Sequence, residues 1–326
     1  MKDAFFQCFF IGTPPLTEKN LPDQTGRVLI VTGGYAGCGK ELSKILYQKN
    51  GTVYLAGRSK DKALAAMAEI NTLHPSSDGR LEFLQLDLAD LASIKASVQD
   101  FLARETRLDV LTNNAGIMTP PKGSLTPTSH ELQMGTNCLG PYLLTHLLTP
   151  LLQKTAAASP PGSVRVTWAA SLATAFSPKG GVTFDDDDPK TNNAASSPKV
   201  FGDRHTDYAQ SKACNALLAR EYQARRGDAA GIVSNAWNPG NLQSELQRHQ
   251  TFAERVVTKA LIYPTVLGAY TELFAGWSEA AGEEGNRGRY IGPWGRFVVL
   301  RRDVAGNEVG AKRFWEWCER ETGRYQ

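Results

Sequence analysis

The chain of 326 residues reads as a doubly wound parallel α/β sheet with helices on both faces. Three observations carry that reading. Short apolar runs alternate with helical stretches from residue 27 to residue 237, the order expected of parallel strands joined by right-handed crossovers. The apolar runs are continuous, as in strands buried on both faces. A glycine cluster separates the first run from the first helix, and ligands of such sheets bind beyond the carboxyl ends of the strands.

The elements follow in order. Residues 27–32 (RVLIVT) form the first strand, and a helix covers 40–49. Residues 52–56 form a second strand, and the Ala-rich stretch 61–71 a second helix. The pattern repeats with a strand at 81–86, a helix at 91–104 and a strand at 108–112. A long apolar helix lies within 129–153, then a strand at 163–168, a helix at 208–226 and a strand at 231–237. No Pro/Gly-rich break separates two self-sufficient segments, so the expectation is an N-terminal arm (1–26) on one domain (27–326). Loop insertions fall around 172–206 and 243–264.

Composition narrows the function. Lys and Arg total 36 against 33 Asp and Glu, a net charge of +3. That excess is too small and dispersed to indicate nucleic acid or an anionic membrane as partner. The five cysteines are widely spaced, without C-x-x-C, which suggests neither zinc nor a disulfide framework and fits a reducing, cytoplasmic setting. The five histidines form no metal-binding pattern. His205 is read as a solvated loop residue, and the acidic run Asp185–Asp188 as a solvated loop. No run is long enough for a membrane span. The apolar stretch from Phe5 to Ile11, interrupted by Gln7, is expected to pack on its own domain. A lip over the substrate pocket and a shallow membrane contact are the alternatives.

The glycine cluster is Thr32-Gly33-Gly34-Tyr35-Ala36-Gly37-Cys38-Gly39. Glycines at 33, 37 and 39 allow a tight turn and a close approach to a bound group. The following helix N-terminus presents unpaired N–H groups to a pyrophosphate. The second strand ends in Gly57-Arg58-Ser59, with Lys60 and Lys62 behind. No carboxylate is present to hold a ribose diol, and Arg58 can take a 2′-phosphate, so NADP(H) is expected over NAD(H).

Tyr208 and Lys212 stand one helical turn apart, on one face. A nearby ammonium favours phenolate, so Lys212 is expected to lower the Tyr208 pKa and make the pair an acid/base unit. Ser171, at the end of the fifth strand, can hydrogen-bond a reacting oxygen. No G-x-S-x-G surrounds it, so a nucleophile elbow is not indicated.

Together these motifs resemble the short-chain dehydrogenase/reductase family over residues 27–244. The implied fold is a single-domain Rossmann-type sheet. Thr32, Gly33, Gly37 and Gly39 match the family's cofactor fingerprint, with Cys38 in place of Ile. Asp87 matches its adenine-side aspartate, and Asn113-Asn114-Ala115-Gly116 its segment after the fourth strand. Asn137, Ser171, Tyr208 and Lys212 match its catalytic tetrad. Pro239, Gly240 and Leu242 match the segment beside the nicotinamide, and Ser244 stands where Thr is usual. The resemblance implies that Ser171 polarises a carbonyl, Tyr208 donates a proton, Lys212 assists, and Asn137 helps hold a water. Tyr208-x-x-Ser211-Lys212-x-x-Asn215 is similar to the retinol-dehydrogenase-like branch. The arm and the tail are similar to its fungal members, many acting in secondary metabolism.

The expected activity is reduction of an apolar or aromatic carbonyl, with Trp168, Phe176, Phe184 and Phe201 as candidate pocket aromatics. A catalytically silent NADP sensor or scaffold and a non-redox dehydratase or isomerase are the competing readings. Expected partners are a small carbonyl or alcohol substrate and NADP(H), with a homo-oligomer left open.

Overall fold

Hydrophobic alternation builds the sheet from its centre. In β1 (Val28–Thr32), Val28 and Ile30 pack into one core cluster while Leu29 and Val31 pack into another. β2 (Thr52–Gly57) does the same, with Tyr54 and Ala56 on one side and Val53 and Leu55 on the other. Successive strand side chains point to opposite faces, so only a strand covered on both sides is apolar throughout. The computed structural model describes Gln7 and residues 11–186, 196–242 and 263–326.

The remaining strands are β3 (Arg80–Gln85), β4 (Val110–Asn113), β5 (Arg165–Ala169), β6 (Val233–Trp237), β7 (Tyr290–Gly292) and β8 (Arg296–Phe297). Their order is β3-β2-β1-β4-β5-β6-β7-β8. Every pairing is parallel except β7 with β8. The order reverses between β1 and β4, which opens a crevice at the carboxyl edge. Thr32 pairs with Ala56, Asn113 with Trp168 and Ala169 with Trp237, so the strand ends carrying the motifs share that edge.

The longer helices among the described residues are α1 (Gly37–Gln48), α2 (Lys60–Leu73), α3 (Leu91–Arg104), α4 (Gly140–Ala157), α5 (Arg204–Tyr222), α6 (Thr265–Trp277) and α7 (Glu308–Thr322). Residues of α1 and α6 fill one core cluster; α3, α4, α5 and α7 supply the other.

Three boundaries differ from expectation for identifiable reasons. α1 begins at Gly37, inside the glycine cluster. The long helix expected within 129–153 is broken by a π-helical turn, Gly135–Leu139, after the short helix Leu132–Met134. There the chain passes close to its neighbours: a Cβ at Gly140 would stand 2.2 Å from the Leu88 carbonyl oxygen, and one at Gly135 2.3 Å from Thr126 Cγ2. α5 begins at Arg204, because the Asp203 carboxylate accepts the Thr206 N–H at 2.9 Å and caps it. Tyr208 is therefore one turn inside the helix.

The arm packs on the domain where it is described. Gln7 is buried and accepts a 2.9 Å hydrogen bond from Asn238 Nδ2. Ile11 lies against Cys38, Leu242 and Trp294. The other residues of the stretch from Phe5 to Phe10 lie outside the described residues. No helix among the described residues is long and apolar enough to cross a membrane.

Candidate active site

The glycine turn is tied to its neighbours through backbone. Gly33 takes φ +67 and Gly37 φ +53, left-handed values that suit glycine. The Gly33 N–H donates to the Ala56 carbonyl at 2.7 Å, and Asn114 Nδ2 donates to the Thr32 carbonyl at 2.7 Å. The Ala115 N–H donates to Thr32 Oγ1 at 2.9 Å. The ends of β1 and β4 are thus stitched across the switch point. A Cβ at Gly39 would stand 2.5 Å from Asn114 Nδ2, whereas one at Gly37 would meet no protein atom within 4 Å. Gly39 is needed for packing; Gly37 faces open space. No side chain caps the N-terminus of α1. Open space beside uncapped helix N–H groups suits a phosphate group.

Arg58 is exposed at the end of β2, as its position requires. Asp87 turns its carboxylate onto the Ala89 N–H at 3.0 Å, shaping the chain after β3. Cys38 is buried with Leu242 and Trp294. Pro239 and Gly240 follow β6, with Gly240 at φ +87. Ser244 and most of the expected loop 243–264 lie outside the described residues.

The acid/base group is assembled from β5 and α5. Ser171 caps the 3-10 turn Leu172–Phe176, its Oγ accepting the Ala173 N–H at 3.2 Å, and its hydroxyl lies near enough to the Tyr208 phenol to lower its pKa. Tyr208 and Lys212 are both buried. Lys212 Nζ stands 5.7 Å from the centroid of the Tyr208 ring and donates to the Ala169 carbonyl at 3.0 Å. Asn215 Nδ2 donates to the same carbonyl at 2.9 Å.

One expectation is corrected here. Lys212 does not depress the Tyr208 pKa in this structure. Burial pushes the phenol up to about 12, and the interaction that lowers it is the Ser171 hydrogen bond. Burial likewise pushes Lys212 down to about 8. Desolvation disfavours each charged form, and the ammonium is turned onto a carbonyl rather than onto the phenol oxygen.

Asn137 lies in the π turn. Its Nδ2 donates to the Ile117 carbonyl and to Ser211 Oγ, both at 3.0 Å, and its Oδ1 accepts the Ile117 N–H at 2.8 Å. The amide thus fixes the strand that leaves β4. A Cβ at Gly116 would stand 3.0 Å from Asn137 Oδ1 and 3.2 Å from Lys212 Nζ, so Gly116, Asn137 and Lys212 converge.

The pocket aromatics need correction. Trp168 and Phe184 are buried in the main core cluster, and Trp168 Nε1 donates to Ser234 Oγ at 3.0 Å. Phe201 is exposed, its ring 5.8 Å from Lys199 Nζ. Phe176 alone, 68 % exposed, follows directly from the Ser171 turn. Of the acidic run, Asp186 is not simply solvated but pairs with Arg313 at 2.8 Å, and Asp187 and Asp188 lie outside the described residues. His205 is exposed, as expected, but lies on the first turn of α5 rather than in a loop. The four described cysteines are free and buried, and no metal-binding cluster occurs among the described residues.

Two residues that no motif announced support the site. Tyr290 of β7 donates its hydroxyl to the Ser171 carbonyl at 2.8 Å. Arg301 donates to the carbonyls of Ala175 at 3.1 Å, Ser177 at 2.7 Å and Pro178 at 2.5 Å, and its charge is met by Asp303 at 2.6 Å. These contacts hold the turn after Ser171 from the far end of the chain.

An open glycine cradle at the switch point, with a hydroxyl–phenol–ammonium group on the same edge, defines an α/β oxidoreductase domain. The chain belongs to the short-chain dehydrogenase/reductase family. The short chain dehydrogenase family model matches residues 27–164. A short-chain dehydrogenase/reductase of Phomopsis amygdali is 45% identical over 336 residues, covering 100% of this chain and 98% of that protein. A solved protein of Mycobacterium paratuberculosis, described as putative and uncharacterized, aligns at TM-score 0.66 and 26% identity, covering 94% of this chain and 97% of that one. The RhlG/NADP active-site complex of Pseudomonas aeruginosa aligns at TM-score 0.61 and 21% identity, covering 82% and 95%.

Proposed function

We propose that the protein is an NADP(H)-dependent reductase that interconverts a ketone or aldehyde with its alcohol, acting on an apolar carbonyl compound of secondary metabolism. The observation that carries the reading is the convergence of Ser171, Tyr208 and Lys212 on the edge that holds the glycine cradle: Lys212 Nζ stands 5.7 Å from the centroid of the Tyr208 ring, and the Ser171 hydroxyl lowers the pKa of the phenol. The exposed cation Arg58 at the end of β2, with no carboxylate beside it in Gly57-Arg58-Ser59, supports NADP(H). The Leu172–Phe176 turn beside Ser171 supports an apolar substrate.

The residues present fit a dinucleotide, because the cradle is open at Gly37 and α1 is uncapped. Thr32, Gly33, Gly37, Cys38 and Gly39 would hold the pyrophosphate, Arg58 the 2′-phosphate and Asp87 the adenine. Asn114, Ala115 and Gly116 would line the ribose. Tyr208 and Lys212 would hold the nicotinamide ribose, and Pro239, Gly240, Leu242 and Ser244 the carboxamide side. When bound, the cofactor supplies the hydride.

The protein's part is proton transfer. A phenol at about 12 keeps its proton at neutral pH and is ready to act as the acid. Ser171 orients and polarises the carbonyl oxygen. As Tyr208 gives up its proton, the Ser171 hydroxyl stabilises the phenolate, while Lys212 holds the nicotinamide ribose. Lys212, at about 8, still carries its proton at neutral pH. Asn137 holds the Ile117 segment against this group.

The test is NADPH oxidation with a panel of aliphatic and aromatic ketones. Stereospecific alcohol formation with one cofactor consumed per product, faster with NADPH than NADH, is expected. NADPH binding with no turnover across the panel would point to the sensor reading.

A further inference from the structure

Tyr35 sits in the glycine turn at a position that none of the motifs above uses. Its ring lies against Gly57: a Cβ there would stand 2.5 Å from both Tyr35 Cε1 and Oη. This places the phenol on the carboxyl edge, between the glycine turn and Arg58. Tyr35 Oη accepts the backbone N–H of Arg58 at 3.1 Å and that of Ser59 at 3.3 Å. Ser59 is the N-cap of α2, so the phenol oxygen occupies the anion-favouring end of a 14-residue helix.

A phenol oxygen has lone pairs that accept and a single proton that it donates. Here the accepting side is taken by two backbone donors. The O–H is thereby directed away from residues 58 and 59, and both incoming bonds polarise it into a better donor. The partner this proton suits best is an anionic oxygen, since O–H···O⁻ bonds are about twice as strong as neutral ones.

We propose that Tyr35 is a direct ligand of the adenosine 2′-phosphate, donating its hydroxyl proton to a phosphate oxygen while its ring stays packed on Gly57. Arg58 supplies the charge and Tyr35 the directed hydrogen bond. The proposal rests on the NADP(H) reading and adds to it a residue that discriminates phosphorylated from unphosphorylated cofactor. It requires no carboxylate and no movement of the α2 N-terminus.

The experiment is equilibrium binding to the full chain, with wild type, Tyr35→Phe and Arg58→Ala. The probes are NADPH, NADH and the nicotinamide-free pair 2′,5′-ADP and 5′-AMP. Tyr35→Phe keeps the ring and removes only the hydroxyl. It should weaken NADPH and 2′,5′-ADP roughly tenfold and leave NADH and 5′-AMP within about twofold. Equal losses for all four probes would reduce Tyr35 to a structural role and overturn the proposal. Unchanged binding of 2′,5′-ADP would overturn it too, and tighter binding would show that the hydroxyl obstructs the phosphate. Should the variant fold poorly, the wild type still decides. Titration with 2′,5′-ADP should raise a tyrosine ultraviolet difference band that 5′-AMP does not, and its absence would count against the contact. The two readings separate cleanly. Wild type preferring NADH defeats both, whereas a preference abolished by Arg58→Ala but retained by Tyr35→Phe defeats this proposal alone.

Discussion

The two sides of the carboxyl edge are held by different means. On the cofactor side, the end of β1 is joined to those of β2 and β4 by motif residues on the strand ends themselves: Gly33 to Ala56, Asn114 and Ala115 to Thr32. On the substrate side, the turn after Ser171 is held from far away in the chain. Tyr290 reaches it across 119 residues, and Arg301 reaches Ser177 across 124. A ligand common to a whole family can be gripped by a fixed backbone turn. The turn proposed to receive the substrate hangs on side chains from the C-terminal part of the chain, Tyr290 and Arg301.

Substitutions on either side should separate the two. The largest effect belongs to Tyr208→Phe, which removes the proposed acid while keeping the ring. Turnover should fall by about 10²–10⁴-fold, with NADPH affinity within a few-fold of wild type in a fluorescence titration. Wild-type turnover would remove Tyr208 from the chemistry.

Arg301→Ala comes next. It releases three backbone carbonyls and leaves Asp303 without its cation. Thermal or urea unfolding should show a loss of about 2–4 kcal/mol. The KM for an accepted carbonyl should rise while the Kd for NADPH stays put. Equal loss of both affinities would erase the distinction between the two sides.

A moderate effect is expected from pH. Lys212 is a cation below about 8 in the empty site and neutral above it, while Tyr208 keeps its proton to about 12. kcat/KM for NADPH should therefore be level up to about pH 8 and decline above it. Lys212→Arg, whose charge persists, should abolish that decline even if the overall rate drops.

The smallest effect lies beneath the cradle. Glu272 of α6 is fully buried, neither carboxylate oxygen has a hydrogen-bond partner, and burial holds its carboxyl well above the ordinary 4.5. The folded protein binds a proton that the unfolded chain releases above about 4.5, so this group lowers stability as pH rises from there. Glu272→Gln should flatten that slope. Its stability relative to wild type should improve as pH rises above 5, by at most about 1.4 kcal/mol for each pH unit. A difference that does not vary with pH would mean that Glu272 is already ionised in the folded state.

How much of this was legible in the sequence follows the same division. The glycine turn, Asn113–Gly116 and Tyr208–Lys212 are local patterns whose spacing encodes their geometry, and the strands from β1 to β6 are short apolar runs read directly. The π turn at Gly135–Leu139 was not legible, because its cause is a close approach to Leu88 and Thr126 rather than a helix-breaking residue. Tyr290 and Arg301 carry no local signal at all. Trp168 and Phe184 look like pocket aromatics in one dimension, yet β5 turns Trp168 into the core and Phe184 packs there from a loop. The effect of Lys212 on Tyr208 also follows from helical spacing alone only if burial is ignored. Once both groups are desolvated, burial moves each pKa the other way.

The central claim is that Ser171, Tyr208 and Lys212 deliver a proton to a carbonyl reduced by NADP(H). The most direct measurement uses NADPH deuterated on the transferred face, with any carbonyl the protein accepts, followed by mass analysis of the product. The account predicts one deuterium on the carbinol carbon for each cofactor oxidised, and none formed by Tyr208→Phe on the same timescale. A product free of label, made without cofactor consumption, would contradict it and turn the site over to non-redox chemistry.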